Sequence, residues 1–155
     1  MKSIARNLAG LAFLLVLSAP AAAQARTDIE LTRAHIQKER QAIIAEAMQL
    51  TEDESLGFWP AYRDYRVEMA RLGDRLVKVI TEFVSDPTTL GDEKANRLLD
   101  EYLSIKAQDV AVKKKFVPVF RKLLPAPKVT RFFQLENKLD AVIAYDLAGT
   151  IPLAR

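Results

Sequence analysis

One pair of side chains has the spacing of metal ligands: His35 and Glu39, four residues apart on a predicted helix. Residues at this spacing lie on one face of a helix, within reach of a common ion. His35 is the only histidine, however, and the chain has no cysteine. Structural metal sites usually take four protein ligands, often Cys and His. We therefore expect no metal site and an exposed His35.

The sequence carries no recognisable catalytic arrangement. It has no Ser/His/Asp grouping and no glycine-rich loop, and no pattern distinguishes any one of its 20 acidic residues. General acid–base and nucleophilic mechanisms need such groups at defined positions. We expect a binding protein rather than an enzyme, with no catalytic residues.

Aromatic side chains cluster early in the second predicted helix, where Phe58, Trp59, Tyr62 and Tyr65 occur within eight positions. Phe58, Tyr62 and Tyr65 fall on the apolar seam of that helix, which favours packing in the core. Trp59 lies one position off the seam. We expect Trp59 to be partly exposed and available for contact with a partner.

Basic residues flank the second and third predicted helices. They include Arg63, Arg66, Arg71, Arg75 and Lys78, then Lys113, Lys114, Lys115, Arg121 and Lys122. One interpretation is a solvated face, with pairs to nearby acids such as Glu68 and Asp74. The other is a positive concave surface with apolar gaps that holds acidic or unfolded proteins. In that case the client-binding residues are Trp59, Arg63, Arg66, Lys114 and Arg121.

Heptad spacing predicts the elements that position these residues: an all-α fold of four helices. Thr27 and Glu30 form a capping box for a first helix over 28–48. Its apolar stripe is Ile29, Ile36, Ile43 and Leu50, with Ile44, Ala47 and Met48 beside it.

The second and third helices are longer. A second capping box at Thr51 and Glu54 precedes a seam of Phe58, Tyr62, Tyr65, Met69, Leu72, Leu76, Val79 and Phe83. Gly91 is the predicted N-cap of the third helix. The seam of the third helix is Leu98, Tyr102, Ile105, Asp109, Val112, Phe116, Val119 and Leu123.

A fourth helix is predicted over 128–148, with Gly149 as its C-cap and an inward face of Phe132, Leu135, Leu139 and Val142. Pro60 and Pro118 lie inside the second and third helices. The seams continue past both prolines, which indicates bends rather than breaks. Two long bent helices predict a curved, hairpin-like bundle.

The first 25 residues have the pattern of a secretory signal peptide. Lys2 and Arg6 precede an apolar run over 8–17, and Ala23 and Ala25 form a small-residue cleavage pattern. The run is shorter than the roughly 20 residues that span a bilayer. We expect cleavage near Ala25, a single domain over 26–155 without a membrane span, and a periplasmic location without ATP, NAD or another cofactor.

Charge and cysteine content restrict the partners further. Cleavage removes two of the 23 basic residues, leaving 21 against 20 acidic ones, so the net charge is near +1. Nucleic-acid binding needs a strongly basic face, so we expect no nucleic-acid partner. Without cysteine, packing alone must hold the fold.

The predicted helix starts resemble the LTxxQ motif of the Spy/CpxP family of periplasmic proteins. Residues 50–54 read LTEDE, 90–94 read LGDEK as a second copy, and 124–128 read LPAPK in the place of a third. Glu54 stands where the family has Gln, and Gly91 and Lys94 replace Thr and Gln in the second copy. The resemblance implies a thin, curved antiparallel homodimer.

The same resemblance implies a role in envelope stress as an ATP-independent chaperone that holds unfolded proteins. The alternative is a regulatory module that binds the sensor domain of an envelope signalling system. A structural envelope component without a client is a third possibility. The metal-responsive branch of the family has the least support, because its His-rich and Cys-rich ligands are missing from this sequence.

Overall fold

The computed structural model describes residues 31, 39–85, 90–149 and 151–154, and these form an all-α fold without strands. The helices are α1 (residues 39–48), α2 (Glu52–Val84), α3 (Asp92–Leu123) and α4 (Ala126–Ala148). The prediction of an all-α fold with four helices is confirmed. The signal-peptide residues 1–25, the Thr27–Glu30 capping box, Ile29, His35 and Ile36 lie outside the described residues.

The predicted helix boundaries agree closely with the structure. The Thr51 hydroxyl accepts a hydrogen bond from the Glu54 backbone N–H, and the Glu54 carboxylate accepts one from the Thr51 N–H, which completes the capping box. Gly91 and Gly149 occupy the predicted cap positions of α3 and α4. Gln49, which separates α1 from α2, has a φ of 45° in the left-handed region that commonly ends helices.

Both long helices continue through their internal prolines. Pro60 lies within α2 and Pro118 within α3, and neither interrupts the helix. Each proline removes one backbone hydrogen bond and crowds the preceding turn. The prediction that these prolines do not break the helices is confirmed.

Ion pairs show that α2 and α3 run antiparallel. With increasing distance from the loop that joins α2 and α3, the pairs are Glu82 with Arg97, Arg75 with Glu101, and Glu68 with Lys115. At the far end Gly57 lies against Leu123, and a Cβ on Gly57 would approach Leu123 Cδ2 to 2.8 Å. This glycine therefore leaves room for the Leu123 side chain at the end of the α2–α3 contact.

The directions of α4 and α1 show that successive helices alternate in direction along the chain. Lys128 and Glu136 of α4 pair with Glu54 and Arg66 of α2, so α4 runs in the same direction as α2. Arg40, in the first described turn of α1, reaches Glu136, whereas Lys128 donates to the Gln49 carbonyl at the other end of α1. The direction of α1 is therefore opposite to that of α4.

Aromatic rings fill the centre of the core. Phe58, Tyr65, Phe120 and Phe132 are fully buried, and the ring centroids of Phe120 and Phe132 lie 4.6 Å apart. Phe58 meets Phe132 edge-on at 5.4 Å. Such aromatic pairs add roughly 0.5–1.5 kcal/mol beyond the area that they bury. The predicted core placement of Phe58, Tyr62 and Tyr65 is confirmed.

Several seam predictions are wrong at the ends of the helices and on α3. Ile43, Tyr102, Val119 and Val142 are exposed, the last by 56%. Ile44 and Met48 are the buried apolar residues in the described part of α1, and Phe120 and Leu124 continue the buried face of α3. A heptad line drifts by about 20° per repeat on a straight helix. Over a helix of this length the line therefore leaves the face that meets the core.

Candidate functional site

A cluster of charged side chains is buried where α1, α2 and α4 meet. Glu136 of α4 is completely inaccessible to solvent. Its Oε2 accepts hydrogen bonds from Arg40 Nη1 at 2.9 Å and Arg66 Nη1 at 3.0 Å. Arg40 Nη2 also donates to Asp140 Oδ1 at 2.8 Å. Charge-assisted bonds of this kind compensate for removing charged groups from water.

Lys113 connects the cluster to α3. Its ammonium group lies 2.9 Å from Asp109 Oδ2 and 3.4 Å from Asp140 Oδ2. Arg40, Arg66, Lys113, Glu136 and Asp140 are called the buried ion cluster below. These five residues come from all four helices and connect them through one group of charged side chains.

Burial and charge shift the pKa values of several groups at this point. Burial alone would lower the pKa values of Arg40 and Lys113, but their carboxylate partners outweigh it and raise both values above the ordinary range. Burial, followed by the charge of Glu136, raises the pKa of Tyr62 to about 12. The same causes raise the pKa of Tyr65 still further. All four groups therefore keep their protons at neutral pH.

A cavity of about 390 Å³ opens beside the buried ion cluster, between α2, α3 and α4. Arg40, Arg66 and Lys113 line its polar end. Its other walls are mainly aliphatic: Met69, Leu72, Leu76, Val77, Ile80, Ile105, Ala141, Ile143, Ala144 and Leu147. We call this space the α2–α4 cavity. A volume of this size is within the range of small-molecule sites.

The outer face of α2 combines exposed apolar and basic side chains. What we call the α2 outer stripe consists of Leu56, Pro60, Arg63, Val67, Arg71 and Lys78. Its members recur about once per turn up to Arg71, and the exposed acidic residue Asp74 lies between Arg71 and Lys78. Leu56 is 78% exposed and Val67 52%. Leu56 and Pro60 lie one turn apart and Val67 two turns further on, with Arg63 between them, so apolar and basic side chains are interspersed along this face.

A similar arrangement lies on α3. The α3 outer stripe consists of Leu99, Leu103, Val110, Lys114 and Arg121, all of which are exposed. Leu99, Leu103 and Val110 occupy the half of the stripe nearer the α2–α3 loop. Lys114 and Arg121 occupy the half nearer α4. The first half is mainly aliphatic, with exposed Lys106 between Leu103 and Val110, and the second half is basic.

The structure distributes the five predicted client-binding residues over different surfaces. Arg63 lies on the α2 outer stripe, and Lys114 and Arg121 lie on the α3 outer stripe. Trp59 is half-buried against Phe58 and Tyr62, which agrees with its predicted partial exposure. Arg66 lies differently: its side chain turns inward to Glu136, so it belongs to the buried ion cluster instead of an open basic face.

Sequence reasoning did not identify Glu136 or Arg40, although a signal for both was available. Glu136 lies four residues after the buried Phe132, and Arg40 lies four residues before the buried Ile44. Opposite charges at core-facing positions of two helices indicate a buried pair, because an unpaired buried charge is very costly. Heptad spacing alone did not assign either residue to the inward face.

Within residues 39–85 and 90–149, no group of three or more His, Cys, Asp or Glu side chains is arranged to hold a metal ion. No helix in the same part of the chain combines the length and apolar content needed to cross a bilayer. Comparisons with protein-family models, with curated proteins and with solved structures each give no match to this chain.

Proposed function

We propose that this chain is a periplasmic protein that holds unfolded envelope proteins without ATP, in the manner of the Spy-like chaperones that its helix starts resemble. It acts by binding, with neither a cofactor nor a catalytic step. The observation that carries the proposal is the α2 outer stripe, where exposed Leu56 and Val67 alternate with exposed Arg63 and Arg71. The signal-peptide pattern at residues 1–25 supports the location.

The chemistry of the stripe matches that of unfolded chains. Unfolded segments expose apolar side chains together with charged ones, and a mixed surface can contact both. Basic residues attract acidic segments over about 8 Å at physiological ionic strength. Apolar contact then contributes roughly 25 cal/mol per Å² of buried surface and is not weakened by charge screening. Scattered contacts of this kind give weak, sequence-tolerant binding, which suits a chaperone without an ATP-driven release step.

The proposal includes a homodimer formed through the aliphatic half of the α3 outer stripe. Leu99, Leu103 and Val110 are each about half exposed on a helix surface. A second copy packed on this half would bury these side chains and leave the α2 outer stripe free. Lys114 and Arg121 then lie beside the dimer contact. Sedimentation should show a dimer at micromolar concentration and a monomer after Leu103→Glu; a wild-type monomer would contradict this part of the proposal.

The test of function is light scattering from an acidic client protein as it unfolds and aggregates. Wild-type protein at near-stoichiometric ratio should delay the aggregation. The pair Leu56→Ser and Val67→Ser should remove most of the delay, and Arg63→Glu should weaken it more at low salt than at high salt. Asp146→Ser, on an exposed position of α4, is the matched surface control.

The outcomes of this assay separate the proposed function from its alternative. If wild-type protein does not delay aggregation of any client, the holdase proposal is wrong and a regulatory module that binds one sensor domain takes its place. If all variants delay aggregation as well as wild type, the α2 outer stripe is only a solvated face. N-terminal sequencing of exported protein tests the location separately, with Arg26 as the expected first residue.

A further inference from the structure

A second open space, which we call the α3–α4 groove, lies between these two helices and has a volume of about 490 Å³. Its floor is apolar and consists of Val117 from α3 with Val129 and Phe133 from α4. The lining follows α4 from Ala126 to Asn137, a distance of about 17 Å at the rise of an α-helix. An extended peptide rises about 3.3 Å per residue, so the groove has the length of about five such residues.

One wall of the groove carries hydrogen-bonding side chains. Thr130, Gln134 and Asn137 line it at successive turns of α4, and all three are exposed. None of these side chains has a hydrogen bond to another described residue. An amide side chain both donates and accepts, as a peptide backbone does. This wall can therefore pair with the backbone of an extended peptide without regard to its side chains.

The charge around the groove is positive. Residues 110–138 contain eight basic residues and one acidic residue, the buried Glu136. Lys113, Lys115 and Lys128 pair with carboxylates. The other five basic residues are exposed and form no ion pair within the described part of the chain: Lys114, Arg121, Lys122, Arg131 and Lys138. Arg121 lines the groove itself, and no acidic residue occurs among the described lining residues. An acidic partner is therefore favoured.

We propose that the α3–α4 groove binds an extended peptide segment in which acidic and apolar residues alternate. Successive side chains of an extended chain point to opposite faces. Apolar side chains then contact the floor at Val117 and Phe133. The carboxylates lie at the rim, within reach of the long side chains of Arg121 and Lys114 on one face of α3.

The inference is independent of the holdase function, because the α2 outer stripe contributes no residue to the groove. The proposed dimer contact uses the aliphatic half of the α3 outer stripe, whereas the groove adjoins the basic half. The two proposals can therefore fail separately.

The experiment is titration of a fluorescein-labelled heptapeptide of alternating Glu and Val with the mature chain, followed by fluorescence anisotropy. Binding should saturate at one peptide per chain. Replacing every Glu by Lys should weaken it at least about tenfold, because the rim is cationic. Replacing every Val by Gly should also weaken it at least about tenfold, because the floor loses its apolar contacts.

Three results of this titration would overturn the proposal. The first is no binding of the Glu/Val peptide. The second is equal binding of the Glu/Val and Glu/Gly peptides, which would mean that charge alone attracts them to the surface. The third is binding of phosphatidylglycerol vesicles by a chain that does not bind the peptide, which would assign the basic residues to a membrane surface.

Two variants locate the site, each with a matched control. Thr130→Trp fills the groove from an exposed position and should weaken peptide binding at least about tenfold, whereas Ala148→Trp, on the same helix outside the groove, should not. Arg121→Met should weaken binding several-fold, whereas Arg71→Met on the α2 outer stripe should leave it unchanged. Circular dichroism confirms folding of each variant. Peptide binding that survives Thr130→Trp unchanged would place the peptide elsewhere and refute the assignment.

The same variants separate this site from the holdase surface. Thr130→Trp should delay client aggregation as wild type does, because the α2 outer stripe is intact. The pair Leu56→Ser and Val67→Ser should bind the peptide as wild type does. Loss of peptide binding in that pair would contradict the independence of the two sites.

Discussion

Removing the carboxylate at the centre of the buried ion cluster is expected to have a large effect on stability. Glu136→Ala eliminates two charge-assisted hydrogen bonds, from Arg40 and Arg66, in a place without access to solvent. Hydrogen bonds to charged groups contribute roughly 1.5–3 kcal/mol each. Removing one partner of a buried ion pair typically costs about 3–5 kcal/mol. We therefore expect the free energy of unfolding to fall by about 3–5 kcal/mol.

The assay is urea denaturation followed by circular dichroism, with Glu46→Ala as the matched control. Glu46 is an exposed glutamate on α1, and its replacement should change the free energy of unfolding by less than about 0.5 kcal/mol. Arg40 keeps Asp140 as a partner in the variant, whereas Arg66 loses its ion-pair partner. If Glu136→Ala lowers the free energy of unfolding no more than Glu46→Ala does, the buried ion cluster does not stabilise the fold.

Two further stability predictions concern the aromatic core and acid sensitivity. Phe120→Ala should lower the free energy of unfolding by about 3–5 kcal/mol, and Val119→Ala should lower it by less than about 1 kcal/mol, because only Phe120 is fully buried. If denaturation gives the same decrease for both variants, this orientation of α3 is wrong. Hydrogen bonds from Lys128 and the Thr51 N–H lower the pKa of Glu54 below its ordinary value of 4.5. Charged Glu54 therefore stabilises the folded state above pH 4.5. This stabilisation is lost as the pH falls through the pKa that Glu54 has in the folded state. Glu54→Gln should therefore reduce the acid dependence of unfolding measured from pH 6 to pH 3, and an unchanged dependence would contradict the pairing.

Much of the fold was predictable because its signals are local. The Thr51 capping box and the cap positions Gly91 and Gly149 follow from residues adjacent to each helix end. The continuity of α2 through Pro60 was predictable because the apolar pattern of the helix continues on both sides of the proline. These features depend on few long-range contacts, which explains why the sequence alone indicated them.

The inward face of α3 was less predictable, since it depends on how α2 and α4 pack around it. Phe116 and Phe120 share the buried face, whereas the predicted Val119 points outward. Spacing in one helix cannot locate the partners of that helix. For the same reason Arg66 was assigned to an open basic surface, although Glu136, 70 residues away, draws it inward.

Site-specific photo-crosslinking tests most directly whether the α2 outer stripe holds unfolded proteins. A photoreactive residue at Val67 reports on the stripe, and one at Asp146 reports on an exposed position of α4. With an unfolding client present, we expect crosslinks to the client from position 67 and few from position 146, with the signal at 67 lost when the client is folded. Equal crosslinking from both positions, or none from position 67, would contradict the proposed client-binding surface.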